Sequence, residues 1–68
     1  MVAYLVTAMK LAFSEGRDWA AWEIYEPFGD RPIDDDGVVE EILYVSNQLT
    51  PKENNIIKTY QRARNGER

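Results

Sequence analysis

The stretch Asp18-Trp19-Ala20-Ala21-Trp22-Glu23-Ile24-Tyr25-Glu26-Pro27-Phe28-Gly29-Asp30-Arg31 places half of the chain's aromatic side chains between Trp19 and Phe28. It then meets a proline and a glycine, which usually end a helix. A chain of 68 residues has few places to bury aromatic surface. The fold, or a partner, must depend on this one.

Size sharpens the point. A domain of about 60 residues buries only about 60% of the surface its unfolded chain exposes, so its stability is marginal without help. The sequence has no cysteine and no histidine. Disulfide staples, thiolate or imidazole metal sites, and His- or Cys-based catalysis are therefore out of reach. A cysteine-free chain suits a reducing cytoplasm. Small scaffolds without staples gain stability by oligomerisation or binding, so a protein partner or a homo-oligomer is expected.

Residues 1–13 form the most apolar run, but Lys10 interrupts it and it falls short of the roughly 18 apolar residues a membrane span needs. It also lacks a basic leader and a small-residue cleavage site. A core helix is the simpler reading, with no membrane role.

The net charge of −4 is unevenly spread. Residues 19–49 hold eight acids against Arg31 alone, a local −7, whereas residues 50–68 carry a local +3. Such asymmetry can steer a basic partner to the middle of the chain and an acidic one to its tail, or it can simply solvate the surface.

Periodicity predicts an all-α fold, a single compact domain over residues 1–68 with about four short helices. The first spans about 3–13, where Leu5, Met9 and Ala12 or Phe13 recur at helical spacing and Gly16 stands just beyond the end. The second spans about 17–25. Trp19 and Trp22 share one of its faces, and Pro27 disfavours helical geometry at Glu26. Residues 28–32 then read as a turn-rich connector in which Gly29 is free to take positive φ and Phe28 folds back under Trp19 or Trp22.

The third helix follows Asp34, Asp35 or Asp36 as its cap, with Val38, Ile42, Val45 and Leu49 as a continuous seam. Val39 and Leu43 widen that seam, and Glu40, Glu41 and Ser46 face water. Thr50-Pro51-Lys52-Glu53 opens the fourth helix as a capping box with proline at the first helical position. Its apolar content, Ile56, Ile57, Tyr60 and Ala63, is thin, and residues 65–68 are expected to fray.

No motif carries chemistry. Gly37 at the sixth position of a calcium loop would put its first ligand at Pro32 and its twelfth at Leu43, and neither can serve. Helix capping explains the aspartates, so no metal and no cofactor is expected. Paired carboxylates need a cleft, and a chain this short leaves little volume for a pocket of about 300 Å³ or more. There is no phosphate-cradling loop and no nucleophile beside a base, so the chain reads as no enzyme. Arg62, Arg64 and Arg68 with Tyr60 could touch nucleic acid, but a solvated helix end is the better reading in so acidic a chain. Trp19 and Trp22 remain the real choice. Aromatics at helical spacing are usually core, yet tryptophan and tyrosine also dominate binding hot spots.

The aromatic stretch resembles a signature of short tailed-phage proteins, the tail assembly chaperone and minor tail protein T group. The matching residues are Asp18, Trp19, Trp22, Glu26, Pro27, Phe28, Gly29, Asp30, Arg31 and Asp34 or Asp35, followed by an apolar helix from Gly37 toward Asn47. The similarity covers about residues 14–48. It implies a non-enzymatic viral protein of the infected bacterium's cytoplasm that chaperones the tape measure protein and recruits tail tube subunits. Trp19, Trp22, Tyr25, Phe28, Asp30, Arg31, Val39 and Leu43 would then shape the protein-binding site or the core behind it. Proteins of that group are often part of a longer frameshifted product, whereas this chain reads as a separate unit. A different class of function fits the charge: a small acidic inhibitor from a phage or mobile element, occupying a basic site on a host protein.

Overall fold

Four helices follow one another with short connections: α1 (Val2–Ser14), α2 (Asp18–Gly29), α3 (Asp36–Gln48) and α4 (Pro51–Gly66). A computed structural model describes residues 2–32 and 36–66, Asp36 by its backbone only. The molecule measures 33 × 31 × 18 Å. Its thin dimension corresponds to about two layers of helix, so each helix keeps one side toward water.

The core is built mainly on α1. Val6, Met9 and Ala12 of that helix, Ala21 of α2, Val45 and Leu49 at the end of α3, and Ile57 of α4 form one cluster. Met9 and Ala21 are fully excluded from solvent. Small side chains at Ala12 and Ala21 let two backbones approach closely, and α1 with α2 makes the most extensive helix pair. The expected seam of α3 is largely present, with Val38, Val45 and Leu49 buried and Ile42 half-buried. Val39 and Leu43 do not widen it: both are exposed, on the flank turned away from the core.

The turn between α1 and α2 follows from one glycine. Gly16 has φ +73°. The Arg17 N–H donates to the Ala12 carbonyl (2.8 Å) and the Gly16 N–H to that of Phe13 (3.0 Å). This is the Schellman pattern, in which a left-handed residue satisfies the orphan carbonyls of a helix end.

The start of α4 is fixed as the sequence implies. The Thr50 N–H donates to Glu53 Oε1 (2.8 Å), and the Glu53 N–H donates to Thr50 Oγ1 (3.2 Å). The same Oε1 accepts a bond from Lys10 Nζ at 2.6 Å, tying α4 to α1. Asn54 Nδ2 donates to the Ser46 carbonyl (2.9 Å), closing the end of α3 from α4. Asp34 and Asp35, expected as caps of α3, lie outside the described residues.

One boundary differs from expectation. Helix α2 runs through Pro27 to Gly29 instead of stopping before the proline. Proline lacks an N–H for the Glu23 carbonyl, but this loss falls in the last turn. Tyr25 and Phe28, three residues apart, meet edge to face across it, with ring centroids 5.7 Å apart. The helix is closed by the Asp30 N–H on the Glu26 carbonyl (3.1 Å). Gly29 is accordingly helical, and Gly16 is the only residue of positive φ among those described. Helix α4 extends to Gly66, and residues 67–68 lie outside the described residues.

No helix among the described residues is long and apolar enough to cross a membrane.

Two predictions test this frame. Gly16→Ala meets open space, so its cost is purely conformational, about 1–2 kcal/mol; at this size the thermal midpoint should fall by at least about 4 °C, with Gly16→Asn milder. Burial alone would push the Glu53 carboxyl up, but the bonds from Lys10 and Thr50 outweigh it and hold its pKa below the ordinary glutamate range. An acid with a depressed folded pKa contributes stability at neutral pH that is lost as pH falls through that value. Glu53→Gln should therefore lower the midpoint at pH 7 and flatten its decline below about pH 4.3, read by circular dichroism melts.

Candidate functional site

The eight residues singled out by the sequence divide into an inward and an outward set. Trp22, Tyr25, Phe28 and Arg31 join in a chain of ring contacts. Trp22 is tilted on Tyr25 with centroids 6.2 Å apart, Tyr25 meets Phe28, and the Arg31 guanidinium lies 5.6 Å from the centre of the Phe28 ring. Phe28 thus takes Tyr25 as its ring partner rather than folding under a tryptophan. Trp22 also stacks on Tyr60 of α4, 6.1 Å apart and within 12° of parallel. Burial pushes the Tyr25 phenol up from its ordinary pKa. Gly29 completes the arrangement: a Cβ there would sit 2.7 Å from the Tyr25 ring. Its role is close approach, not positive φ.

The polar residues of the stretch are engaged as well. Arg64 Nε lies 2.9 Å from Glu26 Oε2, and its Nη1 bonds Asp30. One guanidinium therefore gathers two acids of α2's end onto α4. Arg31 Nη1 donates to Glu41 Oε1 of α3 (3.0 Å), so Glu41 does not simply face water. Exposed pairs of this kind contribute at most about 1 kcal/mol each, but they fix geometry between three helices. Tyr60 and Arg64 are thereby engaged by α2, Arg64 while still exposed, which leaves Arg62 as the described remnant of the basic-aromatic footprint considered for nucleic acid.

Trp19, Val39 and Leu43 face outward. Trp19 is 50% exposed, covered on one side by the Arg17 guanidinium 5.2 Å from its ring. Of the two tryptophans, Trp22 is the structural one. On α3, Val39 and Leu43 stand one turn apart on one flank, and Tyr44, also exposed, stands on the other. Sequence reasoning missed Tyr44. Its signal was available, since it lies one turn after Glu40, off the seam of Val38, Val45 and Leu49.

Beside Tyr44 the divergence of α3 from the start of α1 leaves an open groove of about 470 Å³, lined by Val2, Ala3, Gly37, Glu40, Glu41 and Tyr44. A second cleft of about 600 Å³ lies between the end of α1 and the start of α4, around Lys10, Phe13, Lys52, Glu53 and Ile56. Both are open depressions on the surface, formed where the helices splay, and neither is an enclosed cavity. No group of three or more metal-ligating side chains occurs among the described residues.

The division can be checked by substitution. Trp22→Ala removes a half-buried ring stacked between helices, at a cost of about 3 kcal/mol. That approaches the few kcal/mol available to a core of this size, so the variant should be largely unfolded at 37 °C. Trp19→Ala should keep the midpoint within about 0.5 kcal/mol of the parent. Urea titration followed by circular dichroism distinguishes the two.

No protein-family model, curated protein or solved structure matches this chain.

Proposed function

We propose that this protein is a non-enzymatic protein-binding factor of phage tail assembly. It acts in the cytoplasm of the infected bacterium, keeping apolar helices of the tape measure protein soluble and recruiting tail tube subunits. The observation that supports this most is the outward side of α3. Val39, Leu43 and Tyr44 stand exposed there while the same helix buries Val38 and Val45. A helix apolar on both sides, in a chain with so small a core, is what a protein needs to hold a second helix. The resemblance over residues 14–48 gives that binding its setting.

The acidic-inhibitor reading has less support. Within the strongly acidic middle segment Glu41 is paired with Arg31, and Glu26 and Asp30 share the single charge of Arg64, which comes from outside the segment. The field offered to a basic target is weaker than the sequence suggests.

The test is recovery of tagged protein from phage-infected cells at low and high salt, in parallel with Leu43→Asp, which alters an exposed site and should leave the fold intact. A tape-measure or tail tube protein retained at high salt, and lost with Leu43→Asp, is the expected result. A basic host protein released by salt and indifferent to Leu43 would sink the proposal in favour of the inhibitor.

A further inference from the structure

The face of α3 carries a second message, in its charge. Helix α3 contains acids but no lysine or arginine. Its two glutamates are not equivalent: Glu41 is held by Arg31, whereas Glu40 is exposed and makes no hydrogen bond or ion pair within the described residues. Glu40 lies three residues before Leu43 and four before Tyr44, so it sits between the two apolar flanks and lines the groove against Val2 and Ala3.

Covering this surface with a purely apolar helix would strand the Glu40 carboxylate away from water without a partner, which is strongly unfavourable. A helix bringing a lysine or arginine beside its apolar stripe avoids that penalty. From this we infer that α3 docks an amphipathic partner helix whose apolar stripe is flanked by lysine or arginine, with Glu40 as the residue that selects for the cation. The inference rests on the protein-binding reading above and specifies its partner's chemistry. A second copy of the described chain does not meet both demands. Its unpaired bases among the described residues, Lys52, Lys58 and Arg62, lie on α4, which carries none of the exposed large apolar side chains, and Lys10, beside the exposed Tyr4 and Leu11 of α1, is already held by Glu53.

The experiment uses two fluorescein-labelled designed peptides with the same leucine–alanine helical stripe, flanked by lysine in one and by glutamate in the other. Binding to the full chain is read by anisotropy at low and moderate salt. The lysine-flanked peptide should bind about tenfold more tightly, a preference that shrinks with salt. Glu40→Lys should reduce the preference about three- to tenfold, and Glu40→Gln by less. Glu23→Lys, an equal charge change at an exposed site on α2, should leave it in place. Leu43→Asp should weaken both peptides, although it adds negative charge.

If Glu40→Lys leaves the preference intact while Leu43→Asp still abolishes binding, the role of Glu40 is overturned and the protein-binding reading of α3 survives. If the lysine-flanked peptide binds Leu43→Asp as well as the parent, attraction is merely global charge and the inference fails. If neither peptide binds the parent chain, both this inference and the assignment of α3 as a helix-binding face fall. Circular dichroism of each variant confirms that the fold is retained.

Discussion

The packing of Trp22 against Tyr60 is the contact on which the arrangement of helices depends. Helices α1 and α2 are joined by a tight turn and packed along alanine-rich surfaces, so their pairing is local and follows from sequence neighbours. Nothing local brings α4 back to them. The ring stack does, adding about 0.5–1.5 kcal/mol beyond the apolar area it buries. Arg64 reinforces it on the same side, and the bond from Lys10 to Glu53 anchors the opposite end of α4. With so few fully buried side chains, each of these closures carries a large share of a stability of only a few kcal/mol.

This economy accounts for the division within the aromatic stretch. Tyr25, Phe28, Gly29, Asp30 and Arg31 look, as a motif, like a recognition loop. In the folded chain they form a continuous joint between helices in which a ring meets a ring, a bare Cα admits a ring, and charged tips reach α3 and α4. The large apolar side chains left exposed lie mostly elsewhere: Tyr4 and Leu11 on α1, and Val39, Leu43 and Tyr44 on the outer side of α3, with Trp19 alone from the stretch. A stretch rich in tryptophan and tyrosine can serve either end, because large rings that desolvate a partner well also desolvate a core.

What could be read in the sequence is what local rules decide. The capping box of Thr50 and Glu53 is complete within four residues, and the seam of Val38, Val45 and Leu49 needs only helical periodicity. Gly16 announced its turn because little else tolerates that conformation. Pro27 misled because the rule against interior proline concerns one lost bond and one clash, whereas contacts of Tyr25 and Phe28 on either side of it hold the last turn together. The partners of Trp22 and Asp30 were illegible for a different reason. Tyr60 and Arg64 lie far along the chain, and no spacing rule connects them. The candidate site was half legible: Val39 and Leu43 stood out as apolar, but only the orientation of α3 decides that they face outward, and Tyr44 with them.

The order in which these contacts arise in a growing chain differs from their order of importance. Chains fold from the amino end as they are made, and α1 with α2 can pair as soon as both have been synthesised. Tyr60 and Arg64 arrive later. Until they do, Trp22 has no stacking partner, Glu26 and Asp30 lack their guanidinium, and the Met9 cluster lacks Ile57. The nascent protein therefore passes through a stage in which its own aromatic joint is open and sticky. At that stage the surface open to a stray chain is the one that the finished fold spends on itself.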